Sequence, residues 1–208
     1  MNKTKKTIPF FTKEYWKKEW KSILINLAVY LGIFVGGILI DLLTKEFIFD
    51  KRAIDDSSKQ YTIVSNSFIR FWSVFHRGTT LEIGLSKPGL HTISILIILV
   101  TLFVSLMLHG KKYWWVIAGL ALAASGSFGN MFDRFKFDGV RDIINFPWAD
   151  YGTFNFADVW LVLGGIWIVI SITVISIINY VQEKKQKTIN NEVVKYTEED
   201  NESHFSTN

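Results

Sequence analysis

Four long apolar runs constrain the fold of this chain more than any other feature of its 208 residues. They cover residues 23–43, 92–108, 113–128 and 156–181. A helix that crosses a bilayer needs about 20 mostly apolar residues, with about 17 as the usual minimum. The third run is short but rich in small residues, which let helices pack closely inside a membrane. The runs predict an all-α polytopic membrane protein with four transmembrane helices, the third of them buried among the others.

Lysine clusters beside these runs predict the orientation of the helices. They lie before the first run, at Lys111 and Lys112 between the second and third runs, and at 184–187 after the fourth. Basic residues concentrate in cytoplasmic segments of membrane proteins. Both termini are therefore expected in the cytoplasm, with outward loops at about 46–90 and 129–155. The net charge of +4 is interpreted as orientation and attraction to lipid headgroups rather than as nucleic-acid binding.

The segments outside the four apolar runs, both within and beyond the membrane domain of residues 23–181, have their own patterns. Residues 1–22 combine lysines with aromatic residues, which predicts a cytoplasmic interfacial helix or, as an open alternative, a flexible basic tail with aromatic anchors. Residues 61–85 are rich in β-branched and aromatic residues, which favours a hairpin and a small β-rich region in the first outward loop. Residues 182–208 are polar, so a cytoplasmic tail without regular structure is expected.

Composition excludes several kinds of site. The chain has no cysteine, so it has no disulfide, thiolate nucleophile or cysteine-ligated metal. It has four histidines but no HExxH motif, so a zincin-type metal site is not expected. We predict no metal and no cofactor.

Polar side chains converge on the predicted outer ends of the spans. Asp41 closes the first span, Asn130 closes the third, Asp158 opens the fourth, and Asp142 lies in the second outward loop. Ionisable residues are costly near hydrocarbon and therefore usually carry function. Two aspartates at the membrane border suggest acid–base chemistry on a substrate that itself lies in the membrane.

Short motifs around these residues resemble those of lipoprotein signal peptidases, the signal peptidase II family. Four segments match the family's motifs in the same order. DLLTK (41–45) matches Asp-x-x-Thr-Lys, and GNMFDR (129–134) matches Gly-Asn-x-x-Asp-Arg. VRDI (140–143) matches Val-x-Asp-Phe, and FNFAD (154–158) matches Phe-Asn-x-Ala-Asp. The segment HRGTTL (76–81) is the best match to Asn-x-Gly-Ala-Ala-Phe, with His76 in place of Asn. Ile143 stands where Phe is usual and Val159 where Ser is usual. The resemblance covers residues 23–181.

The resemblance implies a membrane aspartyl endopeptidase of the bacterial cytoplasmic membrane with its active site at the outer face. Such an enzyme removes the signal peptide from diacylglyceryl-modified prolipoproteins by cleaving before the lipidated cysteine. Its partners would be these precursors and membrane lipid, and we expect it to act as a monomer. The implied catalytic residues are Asp142 and Asp158. The residues expected to bind substrate or orient the two aspartates are Asn130, Arg134, Asn155, Asp41, Lys45, His76 and Gly78.

Other interpretations of the same residues stay open from the sequence alone. Arg134 could pair with Asp133 or a surface phosphate, and Asp41 and Lys45 could form an ordinary i,i+4 helix ion pair. His76 could be a surface or packed residue without a role in the site. The border carboxylates could instead belong to a small transporter or binding protein, or to an inactive scaffold of the same fold. The loop at 61–85 could close over a bound peptide and limit the access of water.

Overall fold

The computed structural model describes residues 12–57, 59–77, 87–108, 110–149 and 152–205. Five α-helices and four β-strands occur in this part of the chain, together with one 3-10 turn at Lys111–Tyr113. The helices are α1 (Lys13–Ile48), α2 (Arg52–Asp55), α3 (Lys87–Met107), α4 (Trp114–Phe137) and α5 (Phe156–Phe205). The strands are β1 (Tyr61–Ser65), β2 (Arg70–His76), β3 (Val140–Asn145) and β4 (Thr153–Phe154).

Four of these helices are long and apolar enough to cross a membrane, which confirms the expected fold class. The candidate spans among the described residues are Lys17–Ile48, Lys87–Met107, Lys111–Phe137 and Phe156–Val193. In the third span 67% of the apolar window is buried, against 22% or less in the other three. Helix α4 is therefore the central helix, as its small residues predicted, and the other three expose most of their apolar surface.

The helices extend further than the apolar runs. Helix α1 is continuous from Lys13, so the basic and aromatic segment before the first run is helical as far as it is described, and residues 1–11 lie outside the described part. Helix α4 continues through the polar residues after 128 and ends at Phe137, where Asp138 adopts a left-handed conformation at φ 63°. The expected outward loops at 46–90 and 129–155 were therefore too wide, because helix α1 already covers 46–48, helix α3 begins at Lys87 and helix α4 covers 129–137.

Close backbone contacts hold α4 against α5. A Cβ atom added to Gly164 on α5 would lie 2.7 Å from the backbone nitrogen of Ala123 and 2.8 Å from the carbonyl oxygen of Gly119, both on α4. The same addition at Gly126 would collide with the carbonyl oxygen of Ala157. Small residues are thus required where α4 crosses the first turns of α5, and this contact fixes the two helices that carry most of the polar motif residues.

The segment between α1 and α3 and the segment between α4 and α5 together build one antiparallel sheet in the order β1-β2-β3-β4. Strands β1 and β2 form the hairpin predicted within residues 61–85. Residues 78–86 lie outside the described part, and with them Gly78 and the last third of the loop that could close over a peptide. Strand β3 comes from the second segment and pairs with β2, with Val74 opposite Asp142 and His76 opposite Val140. A small apolar core lies beneath the sheet and contains Phe49, Ala53, Phe75, Ile143 and Ile144.

The chain divides into two compact units, Met1–Ile168 and Val169–Asn208. The second unit is helical as far as Phe205, so the expectation of an irregular tail after residue 182 was wrong. Lys187 binds Glu183 at 2.8 Å and the Gln186 side chain donates to Asn190 at 3.2 Å, both with i,i+4 spacing. Such pairs, together with the good helix propensity of Glu, Lys and Gln, stabilise a helix even when its composition is polar.

Candidate active site

Asp142 lies in the middle of strand β3, and its side chain is 2% exposed. All six residues of this strand are buried. Successive side chains of a strand point to opposite faces, so Arg141 and Asp142 face different neighbours. The Oδ1 atom of Asp142 accepts a hydrogen bond from Asn155 Nδ2 at 2.8 Å, and Oδ2 lies 3.3 Å from His76 Nε2. A carboxyl group in this position is shielded from water and held on both oxygens.

Asp158 lies in the first turn of α5, where it forms a capping box with Asn155. The backbone nitrogen of Asp158 donates to Asn155 Oδ1 at 3.1 Å, and the backbone nitrogen of Asn155 donates to Asp158 Oδ2 at 3.2 Å. The helix therefore begins at the residue that also binds Asp142. The sequence FNFAD contains the spacing of a capping box, with the N-cap residue three positions before the acid.

Two asparagine side chains connect the two aspartates. Asn155 Nδ2 donates to Asp142 Oδ1 and, at 3.1 Å, to Asn130 Oδ1. Asn130 Nδ2 donates in turn to Asp158 Oδ1 at 2.7 Å. Strand β3, helix α4 and the start of helix α5 thus contribute to one hydrogen-bonded chain that contains both acids. The structure brings together four of the residues that the sequence singled out.

Asp41 and Lys45 belong to a buried ion network next to this chain of hydrogen bonds. Lys45 Nζ lies 2.8 Å from Asp41 Oδ2 and 3.2 Å from Asp133 Oδ2, and all three side chains are fully buried. Asp41 Oδ1 also accepts the backbone N–H of Ala157 at 2.8 Å, in the first turn of α5. Neither residue hydrogen-bonds Asp142 or Asp158. Their contacts support a role in orienting α5 rather than in contacting substrate.

Arg141 completes this network, and sequence reasoning missed it. Its guanidinium group donates to Asp133 Oδ1 at 2.9 Å and to Glu46 Oε2 at 3.2 Å, while its backbone nitrogen donates to Asp133 Oδ2 at 3.1 Å. The residue next to Asp142 is thereby tied to both α4 and α1. Its position beside the motif aspartate in a β-branched run was the available signal, since an arginine in a buried strand needs a carboxylate partner.

Arg134 lies on α4 one turn after Asn130 and interacts electrostatically with Asp158 and Asp142. Its Nε atom is buried and has no hydrogen-bond partner among the described residues. Asp133 pairs with Lys45 and Arg141, so the alternative of an Arg134–Asp133 pair is absent from the described ion pairs. A half-buried arginine with an unused Nε–H donor beside two acids is suited to bind an oxygen of a substrate.

His76 lies at the end of β2, diagonally across from Asp142. Its Nε2 atom is 3.3 Å from Asp142 Oδ2 and 3.3 Å from Thr153 Oγ1 on β4. The structure therefore places His76 beside the aspartates rather than on an uninvolved surface. Thr153 was also missed, and no signal in its local sequence distinguishes it. Gly78, the other residue expected from this segment, lies outside the described part of the chain.

Burial and charge together determine the protonation of Asp142. Burial raises the pKa of the Asp142 carboxyl well above its ordinary value, and the negative charge of Asp158 raises it further. The hydrogen bond from Asn155 and the positive charge of Lys45 lower this pKa, but they are the weaker influences. Burial and the neighbouring negative charge therefore both favour the protonated form of Asp142. Asp158 is less deeply buried and receives hydrogen bonds on both oxygens, which suits a carboxylate.

The arrangement can carry out general acid–base chemistry with two carboxyl groups. A protonated acid and a nearby carboxylate can together activate a water molecule and polarise a carbonyl group. No group of three or more His, Cys, Asp or Glu side chains positioned to hold a metal occurs among the described residues.

Comparison with known proteins shows which family this chain resembles. Residues 33–174 match the family model described as signal peptidase (SPase) II. A lipoprotein signal peptidase of Wigglesworthia glossinidia brevipalpis is 30% identical over 151 residues, which cover 69% of this chain and 88% of that protein. A lipoprotein signal peptidase of Clostridium acetobutylicum is 31% identical over 140 residues, which cover 65% of this chain and 88% of that protein.

Solved structures support the fold. Two structures of a bacterial membrane enzyme, determined by the in meso method at 2.3 Å and 1.9 Å resolution, align with this chain. Their TM-scores are 0.55 and 0.56, with sequence identities of 23% and 24%. Each alignment covers 70% of this chain, and it covers 88% and 92% of the respective solved chains.

Proposed function

This chain belongs to the signal peptidase II family, and from that premise we propose that it is an aspartyl endopeptidase that processes lipid-modified prolipoproteins. It is a bacterial multi-pass membrane protein and a peptidase by family. The observation that carries the aspartyl mechanism is the hydrogen-bonded chain from Asp142 through Asn155 and Asn130 to Asp158. Asp158 lies in the first turn of the fourth candidate span and Asp142 in the strand between the third and fourth spans, so both acids would lie near the membrane surface. Membership of a peptidase family leaves the transporter interpretation without support.

In the proposed reaction Asp158 is the base and Asp142 is the acid. Asp158 takes a proton from a water molecule, and the oxygen of that water attacks the carbonyl carbon of the scissile peptide bond. Asp142 donates its proton to the carbonyl oxygen, so the charge that develops there is neutralised. Collapse of the tetrahedral intermediate then breaks the C–N bond: a hydroxyl proton of the intermediate returns to Asp142 as the carbonyl group re-forms, and the leaving nitrogen takes up the proton held by Asp158. No covalent bond to the protein forms at any step.

The remaining site residues would position these groups. Asn130 and Asn155 hold the two acids in fixed positions relative to each other. Asp41, paired with Lys45, fixes the first turn of α5 by accepting the Ala157 N–H. The free Nε–H of Arg134 would donate to an oxygen of the substrate, such as a backbone carbonyl or the diacylglyceryl ester. Positive-inside orientation would place both termini in the cytoplasm and the sheet at the outer face. Residues 23–181 would form the peptidase domain, and we propose that it acts as a monomer on precursors that diffuse in the lipid.

The substrate class can be tested with the purified full-length protein in detergent. A diacylglyceryl-modified prolipoprotein should be cleaved to the shorter form before its lipidated cysteine, as read from a gel shift and the mass of the product. The matched control is the same precursor with serine at the cysteine position, which cannot be lipidated and should stay uncut. Equal cleavage of both precursors would contradict the proposed substrate class. A folded enzyme that cuts neither precursor would contradict the proposed function as a whole.

A further inference from the structure

His76 departs from the family motif, and its side chain lies close to a carboxylate oxygen of Asp142. Because His76 pairs with Val140 across β2 and β3, its ring lies on the same face of the sheet as Asp142, two residues further along. The Nε2 atom is 3.3 Å from Asp142 Oδ2. Asp142 Oδ1 accepts from Asn155, so the proton of a neutral Asp142 belongs on Oδ2, facing the imidazole.

The imidazole is linked to solvent as well as to the acids. Its side chain is 35% exposed, which allows it to exchange protons with water. Thr153 Oγ1 lies 3.3 Å from the same nitrogen and supplies a neutral partner. The titratable groups near the imidazole are Asp142 on β3 and Asp158 on α5. Arg134 on α4 and Lys45 on α1 interact electrostatically with these aspartates. Arg77 follows it on the chain.

Burial favours the uncharged forms of both His76 and Asp142. Burial lowers the pKa of the His76 imidazole below its ordinary value, and the negative charge of Asp158 opposes this only in part. Burial also raises the pKa of Asp142. Both shifts therefore favour a neutral imidazole beside a protonated Asp142.

We propose that His76 is a positioning residue whose neutral imidazole keeps the shared proton of the aspartates on Asp142 Oδ2. This inference rests on the proposed function and adds the control of its protonation state. When His76 takes up a proton at Nε2, a cation lies 3.3 Å from Asp142 Oδ2 and favours the carboxylate form of Asp142. The shared proton then moves to Asp158. The base is thereby occupied and the acid is empty, so hydrolysis stops.

The pH dependence of kcat/KM tests this inference, because it reports the ionisation of the free enzyme. With wild-type protein and a lipidated precursor, kcat/KM should fall on acidification as His76 is protonated, by about tenfold per pH unit below the pKa of His76. The His76→Asn variant keeps a side-chain donor but cannot titrate, so its fall in kcat/KM should begin at a lower pH. The His91→Asn variant removes a histidine of α3 that has no contact with the aspartates, and its profile should follow that of the wild type.

Two results would overturn the inference and leave the proposed function intact. One is an acid limb that is unchanged in His76→Asn while the wild-type enzyme cleaves normally. The other is an acid limb that shifts equally in His91→Asn. If His76→Asn does not fold, NMR titration of ¹³C-labelled histidine in the wild-type protein provides the second measurement. The inference is supported if the His76 resonance titrates below pH 6.5 and over the same pH range in which activity is lost. It is overturned if the resonance titrates above pH 6.5, or if it titrates in a different pH range from the loss of activity.

Discussion

At the residue scale, the site depends on the different surroundings of two identical side chains. Asp142 lies inside a strand with no exposed neighbours in that strand, whereas Asp158 lies at the start of a helix, where backbone and amide N–H groups point at it. A helix N-terminus favours negative charge, and burial in a sheet opposes it. The sequence predicted both acids from the motifs that contain them. It could not show the difference between them, because that difference comes from tertiary contacts with Asn130, Asn155 and His76.

Asn155 has two separable tasks, and two substitutions distinguish them. Asn155→Ser keeps an N-cap acceptor for the Asp158 N–H but removes the amide that links Asp142 to Asn130. We expect its stability to change by less than about 0.5 kcal/mol, while kcat falls by about tenfold or more. Asn155→Ala should lose about 1 kcal/mol as well as activity. Thermal unfolding and single-turnover cleavage measure the two effects, and full activity in Asn155→Ser would contradict the linking role.

The raised pKa of Asp142 also makes a prediction about stability. A carboxyl whose pKa is higher in the folded than in the unfolded state favours folding at low pH, and this contribution is lost as the pH rises through its folded pKa. Asp142→Asn replaces the acid with a neutral group of the same shape. Its Tm should therefore exceed that of the wild type at pH 8, and the difference should shrink towards pH 4.5. A variant that is less stable than the wild type at pH 8 would contradict the assigned protonation of Asp142.

At the element scale, helix α4 determines the arrangement because α1, α3 and α5 all pack around it. The sequence predicted a buried third span from its small residues, and that prediction is confirmed. It also predicted the hairpin of β1 and β2. It did not predict that VRDIIN would form β3 and extend the same sheet, because a run of six residues between two spans contains no indication of its distant partner. Pairing with β2 places Asp142 beside His76, and no local pattern contains that register.

Two adjacent glycines of α5 test the proposed packing of α4 against α5. A Cβ atom at Gly164 would meet the backbone of α4 at 2.7 Å, whereas a Cβ atom at Gly165 would meet nothing within 4 Å. Gly164→Ala should destabilise the protein by about 1–3 kcal/mol through overpacking. Gly165→Ala should be neutral or stabilise it by about 0.4–1 kcal/mol. Unfolding in detergent measures both variants, and equal effects at the two positions would contradict the packing.

At the scale of the whole molecule, a buried ion network joins the spans to the sheet. Lys45 on α1 and Arg141 on β3 share the carboxylate of Asp133 on α4, and Asp41 reaches from α1 to the first turn of α5. The sequence indicated Asp41 and Lys45 as an i,i+4 pair, and the structure confirms that contact. The links to Asp133, Arg141 and Ala157 connect residues far apart in the chain. They follow from the assembled fold and not from local spacing.

Removing one charge from this network should destabilise the whole membrane domain. Lys45→Met leaves two fully buried carboxylates, those of Asp41 and Asp133, with one fewer counter-ion. Breaking a buried pair in this way costs about 3–5 kcal/mol. The control is Lys51→Met, which breaks an exposed pair with Glu46 and should cost about 0–1 kcal/mol. A Lys45→Met protein that unfolds at the wild-type temperature would show that the network does not hold the domain together.

The most direct test of the central claim is cleavage of a lipidated prolipoprotein by Asp142→Asn and Asp158→Asn. Each variant is compared with the wild type in single-turnover assays after thermal unfolding has shown that it is folded. If the two aspartates act as a pair, either change alone should lower the rate by about 10²–10⁴ or more. The double variant should be little worse than either single variant, since the two groups act as a unit. Substantial cleavage by a folded Asp142→Asn or Asp158→Asn protein would contradict the two-aspartate mechanism.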